Sequence, residues 1–221
     1  MIRVLVVDDE ALIRTGFQHI LDTAQDIEVV AAVPGGEAVQ TAQTTCPDVV
    51  LLDIRMPDVD GLTVLTRLRQ LPHPPIVAML TTFDMDDYVE TALRSGAAGF
   101  LLKDTDPEEL PFLVRTLADG GTVLSSKVTR TIVNRYLNAG ARDPAGRSLD
   151  QLTDRERDVL VLIAGGLSNA DIGARMHLST GTVKDHVSAI LTKLQVGSRV
   201  QAALLAERAG LLKPQREGER E

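Results

Sequence analysis

Residues 49–61 read Val-Val-Leu-Leu-Asp-Ile-Arg-Met-Pro-Asp-Val-Asp-Gly. The apolar run Val49–Leu52 is too short for a helix and is bounded by turn formers, which suits a strand buried on both faces. It ends on Asp53, so an acid stands where the strand leaves the sheet. Working outward, comparable runs occur at Ile2–Val7, Ile27–Val33, Ile76–Leu80 and Gly99–Leu102, giving five strands. Between them, apolar residues recur at helical steps, as in Leu62, Leu65, Leu68 and Leu71, or Leu110, Leu113, Val114 and Leu117. Strands alternating with helices predict a parallel sheet with helices on both faces, because parallel neighbours need crossovers.

In an open parallel sheet, ligands bind beyond the carboxyl ends of the strands. The residues there are Asp8 and Asp9 after the first strand, Asp53 after the third, Thr81 after the fourth and Lys103 after the fifth. Each alone reads as a loop cap or a solvated charge; their arrival at one edge reads as a site. Three converging carboxylates stay ionised only beside a cation, and a set of oxygen ligands suits Mg²⁺. With such a metal, Asp53 can act as a nucleophile toward a phosphoryl group, with Lys103 as neutralising cation and Thr81 as hydroxyl donor.

After Gly121 the strand signal stops. Ser126 to Leu137 reads as a linking helix, 138–147 as a hinge rich in Gly, Ala, Pro and Arg, and the charged 214–221 as a disordered tail. The expected domains are therefore 1–120, a linker at 121–147, and a helical domain at 148–213. Thr153 and Glu156 form a capping-box pattern, Ser168 or Asn169 caps a second helix to Met176, and Ser179 caps a third to about Leu194. On that third helix Val183, Val187, Ile190, Leu191 and Leu194 form an apolar stripe. Gly181, Lys184, Asp185, Ser188 and Thr192 share the opposite one. Short polar side chains beside a lysine let a helix approach major-groove base edges, with Lys193 on the flank for phosphate. Taken alone, the same stripe is an ordinary solvated face.

The 221 residues suit one large domain or two smaller ones, and charge favours two. Residues 1–120 carry 8 Lys/Arg against 20 Asp/Glu, net −12, and the remainder 15 against 11, net +4. Cys46 is the single cysteine; it excludes an internal disulfide, lacks metal-ligand spacing and reads as a small buried residue. His186 has no second ligand at metal spacing and reads as structural or phosphate-contacting. No signal peptide or membrane span is legible, so a cytoplasmic protein without membrane contact is expected.

The segments Val7-Asp8-Asp9-Glu10, Leu52-Asp53-Ile54-Arg55-Met56-Pro57 with Asp60-Gly61, Leu80-Thr81-Thr82-Phe83 and Gly96 to Asp104 together resemble the receiver domain of response regulators. The resemblance implies a flavodoxin-like (βα)5 domain with a five-stranded parallel sheet. It also implies Asp53 as phospho-acceptor, and Mg²⁺ held by Asp9, Asp8, Asp53 and the backbone carbonyl of Arg55. Thr81 and Lys103 would contact the phosphoryl group, and Thr81 with Phe100 would relay the switch; Phe100 otherwise reads as plain core. Arg55 and Phe83 would tune the phosphate lifetime, and Phe83, unable to orient water, implies slow self-dephosphorylation.

Leu152 to Leu212 resembles the LuxR-type helix-turn-helix, through Leu152 to Leu160, Gly166 to Ala174 and Thr182 to Val187. That implies an all-α four-helix module in which Thr182, Lys184, Asp185, Ser188 and Lys193 face DNA. Asp185 would either repel phosphate or accept from a cytosine amine. The pair of domains is similar to the NarL/FixJ class of response regulators. This implies a sensor histidine kinase, double-stranded promoter DNA and a homodimer on phosphorylation, paired through Leu12 and Leu113 unless those belong to the core. Two other readings compete: an enzyme passing through an aspartyl-phosphate, disfavoured because Arg55 stands where its second carboxylate belongs, and a receiver joined to a protein-interaction module.

Overall fold

A computed structural model describes residues 1–81, 86–124 and 149–211. The linking helix, hinge and tail expected from the sequence, together with Phe83, lie outside these residues. The chain divides into two compact units. Among the described residues no helix is long and apolar enough to cross a membrane.

The first unit contains β1 (Ile2–Val7), α1 (Ala11–Leu21), β2 (Ile27–Val33), α2 (Ala38–Thr45), β3 (Val49–Asp53), α3 (Gly61–Arg69), β4 (Ile76–Thr81), α4 (Asp86–Arg94), β5 (Gly99–Leu102), α5 (Leu110–Ala118) and β6 (Val123–Leu124). Every strand pairing is parallel, in the order β2-β1-β3-β4-β5-β6. The chain moves outward from β1 in one direction to β2 and in the other to β3, so the crevice beyond β1 and β3 is the topological switch point. All five residues of β3 are buried, as its unbroken apolar run requires. Val4, Val6, Val49, Leu51, Ala78, Leu80 and Leu101 pack with Phe17 and Leu21 of α1 and with Leu110, Val114 and Leu117 of α5. The alternate residues, among them Leu5, Val7, Leu52, Met79 and Phe100, are also buried and point to the other face.

Two expectations need correction, and one left open is decided. The sheet has six strands, not five: Val123 and Leu124 pair with Gly99 and Phe100. A two-residue strand carries no periodicity. Its partner Gly99 is needed because a Cβ there would lie 2.6 Å from the Val123 carbonyl oxygen. The sheet thus includes residues past 120. Cys46 is exposed, not buried; it ends α2 in the left-handed region at φ 46°. On α5, Leu113 packs against the core while its neighbour Phe112 is 65% exposed. Strands β3 and β4 each also run one residue beyond their apolar stretch, so Asp53 and Thr81 belong to the sheet itself.

The second unit contains α6 (Asp154–Ala164), α7 (Asn169–Met176), α8 (Thr180–Leu194) and α9 (Arg199–Arg208). Thr153 and Glu156 form the expected capping box, Ser168 caps α7 with Asp171 completing a second box, and Ser179 caps α8. Val159, Leu160, Ile163, Ile172, Val183, Ile190, Leu194, Ala202 and Ala206 form one core across all four helices. Arg199 fastens the start of α9 to the turn before α7, donating to Asn169 Oδ1 at 2.8 Å and to the Leu167 carbonyl. Burial holds its pKa down to about 10.

Gly61 opens α3 directly against β3: a Cβ there would collide with the Asp53 carbonyl oxygen and lie 2.9 Å from Ile54 Cα. Gly61→Ala is therefore expected to cost ~2 kcal/mol of stability in urea denaturation, as overpacking against fixed backbone does. An unchanged midpoint would contradict this packing.

Candidate phosphoryl site and nucleic-acid interface

The carboxyl ends of β1, β3, β4 and β5 bring the predicted residues of the first unit together. Asp8 is fully buried and Asp53 4% exposed, while Asp9 is exposed. One carboxylate oxygen from each lies within 4.8 Å of the other two. The Lys103 ammonium stands 2.9 Å from Asp8 Oδ2, 3.2 Å from Asp53 Oδ2 and 3.3 Å from Glu10 Oε1. Its backbone N–H donates to the Thr81 carbonyl at 3.0 Å, which ties the end of β5 to β4. Thr81 is 4% exposed and Phe100 1%.

Distance and alignment differ here in an informative way. Asp8 Oδ2 and Asp53 Oδ2 are buried with no aligned hydrogen bond, although Lys103 is close to both. The ammonium offsets part of the negative charge but leaves lone pairs unsatisfied, a costly state for buried carboxylates. Burial and the Asp8 charge push the Asp53 carboxyl from 3.8 up to about 6, against the opposing pull of Lys103. Burial works against the charged form of Lys103 as well, but its close pairing with Asp8 and the charge of Asp53 outweigh it and hold its pKa above the ordinary value. A buried pair of acids, an exposed third and unsatisfied oxygens fit a small hard divalent cation, and the oxygen-only donor set suits Mg²⁺. The acid cluster is compatible with that ion.

Two supporting residues had no assigned role in the sequence reading. Arg14 on α1 donates from Nη1 to the carbonyls of Asp8 (2.7 Å) and Asp9 (3.0 Å), fixing the loop that carries both acids. Glu10 donates its N–H to Asp8 Oδ1 at 2.9 Å and offers its carboxylate to Lys103. Glu10 was visible as the third acid of a run, whereas nothing in the spacing of Arg14 marks it. Arg55 is exposed; its backbone N–H favours the charged form of Asp53, and its guanidinium lies over the Tyr88 ring, 5.3 Å from the centroid.

In the second unit, Gly181, Thr182, Lys184, Asp185, Ser188 and Thr192 are all exposed on α8. Ser188 and Thr192 return their hydroxyls to the carbonyls of Lys184 and Ser188, so the face is short and close to the helix backbone. His186 is half-buried. Lys193 departs from expectation: its ammonium is held 2.8 and 2.6 Å from the two oxygens of Glu156, which is itself 6% exposed. The flank lysine is therefore committed to an intramolecular ion pair between α8 and α6.

Residues 4–115 match the family of response regulator receiver domains, and residues 150–206 match bacterial regulatory proteins of the luxR family. The chain belongs to the NarL-like response regulators. It is 39% identical to the nitrate/nitrite response regulator protein NarL of Escherichia coli K12, across 91% of this chain and 93% of that protein. It is equally identical to the uncharacterized transcriptional regulatory protein YhcZ of Bacillus subtilis, across 95% of this chain and 97% of that one. Among solved structures it is similar to the response regulator ChrA of a heme-sensing two-component system, at 33% identity, TM-score 0.51, over 95% of this chain and 98% of that one. The protein is thus a two-component transcriptional response regulator, a transcription regulator rather than a classical enzyme.

Two outcomes follow for this response regulator. The folded-state pKa of Asp53 lies above its unfolded value of 3.8. Its contribution is therefore most favourable below that value and is lost as pH rises through about 6. Asp53→Asn should accordingly stabilise the metal-free protein by ~2 kcal/mol at pH 7.5 and by almost nothing at pH 4; a lower midpoint at pH 7.5 would contradict the electrostatics. Lys193→Ala should lower the thermal midpoint of the second unit by leaving Glu156 buried without its cation, at a cost of ~1–2 kcal/mol after discounting for the partial exposure of the lysine. Loss of DNA affinity with no loss of stability would mean that Lys193 serves phosphate instead.

Proposed function

We propose that Asp53 is the phospho-acceptor of this response regulator and that a sensor histidine kinase is the donor. The observation that carries the reading is a buried carboxylate with an unsatisfied oxygen, flanked by two acids and one ammonium. Asp53 Oδ attacks phosphorus as the bond to the donor imidazole breaks, and the imidazole leaves neutral after taking a proton. Asp8, Asp9, Asp53 and the backbone carbonyl of Arg55 would hold Mg²⁺, which would supply charge to the phosphoryl oxygens when bound. Lys103 stays ionised and pairs with a phosphoryl oxygen in place of the Asp53 oxygen that it faces before the reaction. The Thr81 hydroxyl donates to another, and Phe100 follows it by packing. Arg14 keeps the acids of the β1–α1 loop in place.

Phosphorylation then favours a homodimer on promoter DNA. Leu12 on α1, 82% exposed, and Phe112 on α5, 65% exposed, support pairing through these two neighbouring helices. Thr182, Lys184, Asp185 and Ser188 on α8 read the major groove, where Asp185 accepts from a cytosine amine. Two weak modules on one duplex gain affinity through effective concentration. A regulator acting on the chromosome under kinase control works in the cytoplasm.

Light scattering with Mg²⁺ and beryllofluoride, a phosphoryl mimic, should give twice the monomer mass. Promoter affinity should rise ~10-fold or more in the same sample. Neither change should occur in Asp53→Asn. An unchanged mass with unchanged DNA affinity would overturn the reading.

A further inference from the structure

Arg55 has two partners of different kinds. Its backbone, two residues after Asp53, favours the charged form of that carboxylate, and its guanidinium lies over the half-buried ring of Tyr88 on α4. Val89, Ala92 and Leu93, on the same helix, are buried. A single residue of the β3–α3 loop, two after Asp53, therefore touches the helix next to the switch strands. Phe100 is 1% exposed and has no hydroxyl, so it acts by packing alone.

We propose that Arg55 is a further phosphoryl-binding side chain, parked on Tyr88 before phosphorylation and drawn off the ring when Asp53 is phosphorylated, which frees α4. The inference rests on Asp53 as phospho-acceptor. A guanidinium over an exposed aromatic face is held weakly, whereas the same group gains two charge-assisted hydrogen bonds from a phosphoryl dianion. The new dianion forms on Asp53, two residues before Arg55 in the same loop. The ring and the phosphoryl group compete for one cation, and only the ring belongs to α4. Arg55 thereby reports occupancy of Asp53 by letting go of Tyr88.

The composition makes this directly readable, because the chain has no tryptophan and two tyrosines, Tyr88 and Tyr136. In a Tyr136→Phe background, near-ultraviolet absorbance and emission report Tyr88 alone. Adding Mg²⁺ and beryllofluoride should move the Tyr88 spectrum to that of an unstacked ring, while Mg²⁺ alone should not. Arg55→Ala should show the unstacked spectrum from the start, with no further change. Fluorine NMR of bound beryllofluoride monitors Asp53 in the same samples. An unmoved Tyr88 spectrum with beryllofluoride bound overturns the exchange of partners, and absence of bound beryllofluoride overturns instead the assignment of Asp53. Tyr88→Leu should raise promoter affinity of the unphosphorylated protein about threefold, and Tyr88→Phe, which keeps an aromatic face, should restore the original value. Equal affinities for the Leu variant and the parent would also overturn the proposal.

Discussion

Two carboxylates buried side by side at the switch point of a parallel sheet are the constraint to which the first unit answers. Asp8 directly follows β1 and Asp53 ends β3, and the pairing of Val7 with Leu52 just before them holds the two acids close despite their repulsion. Lys103 brings one positive charge to a site with three nearby acids, leaving it negative and its buried oxygens incompletely bonded. The excess negative charge of the pocket is compatible with a divalent cation. Stability is given up locally and supplied by the buried apolar residues on both faces of the sheet.

The second unit treats a buried acid in the opposite way. Glu156 accepts from the Thr153 N–H and from Lys193, and the hydrogen bond from Lys193, with those from Thr153, holds its carboxyl below the ordinary value. This acid is satisfied and structural: it caps α6 and ties α8, the helix with the exposed polar stripe, to the core. The contrast separates function from scaffold among residues of one chemical type. An acid with every lone pair engaged fixes geometry, whereas an acid left short of partners is available for chemistry.

Most of the architecture was legible because apolar runs of four to seven residues alternate with helical spacing, and strand ends coincide with changes in polarity. Asp8, Asp9, Asp53, Thr81 and Lys103 could be selected because the edge of a parallel sheet is where such residues converge. What stayed hidden was set by contacts between distant segments. β6 is two residues long and depends on the missing side chain of Gly99. The choice between Leu113 and Phe112 as the outer residue of α5 turned on helix rotation by one position. The engagement of Lys193 with Glu156 spans 37 residues, and the clamp of Arg14 acts on backbone carbonyls, which leave no trace in residue type.

The central claim is that the most acidic corner of the sheet accepts a phosphoryl group on one oxygen-deficient carboxylate. The direct measurement is transfer of radiolabelled phosphate from acetyl phosphate to the full-length chain, with and without Mg²⁺, followed by peptide mapping. A single acid-stable, hydroxylamine-labile label is expected on the peptide containing residue 53, dependent on the metal and absent from Asp53→Ala. Undiminished labelling of that variant, or a label mapping to another peptide, would contradict it.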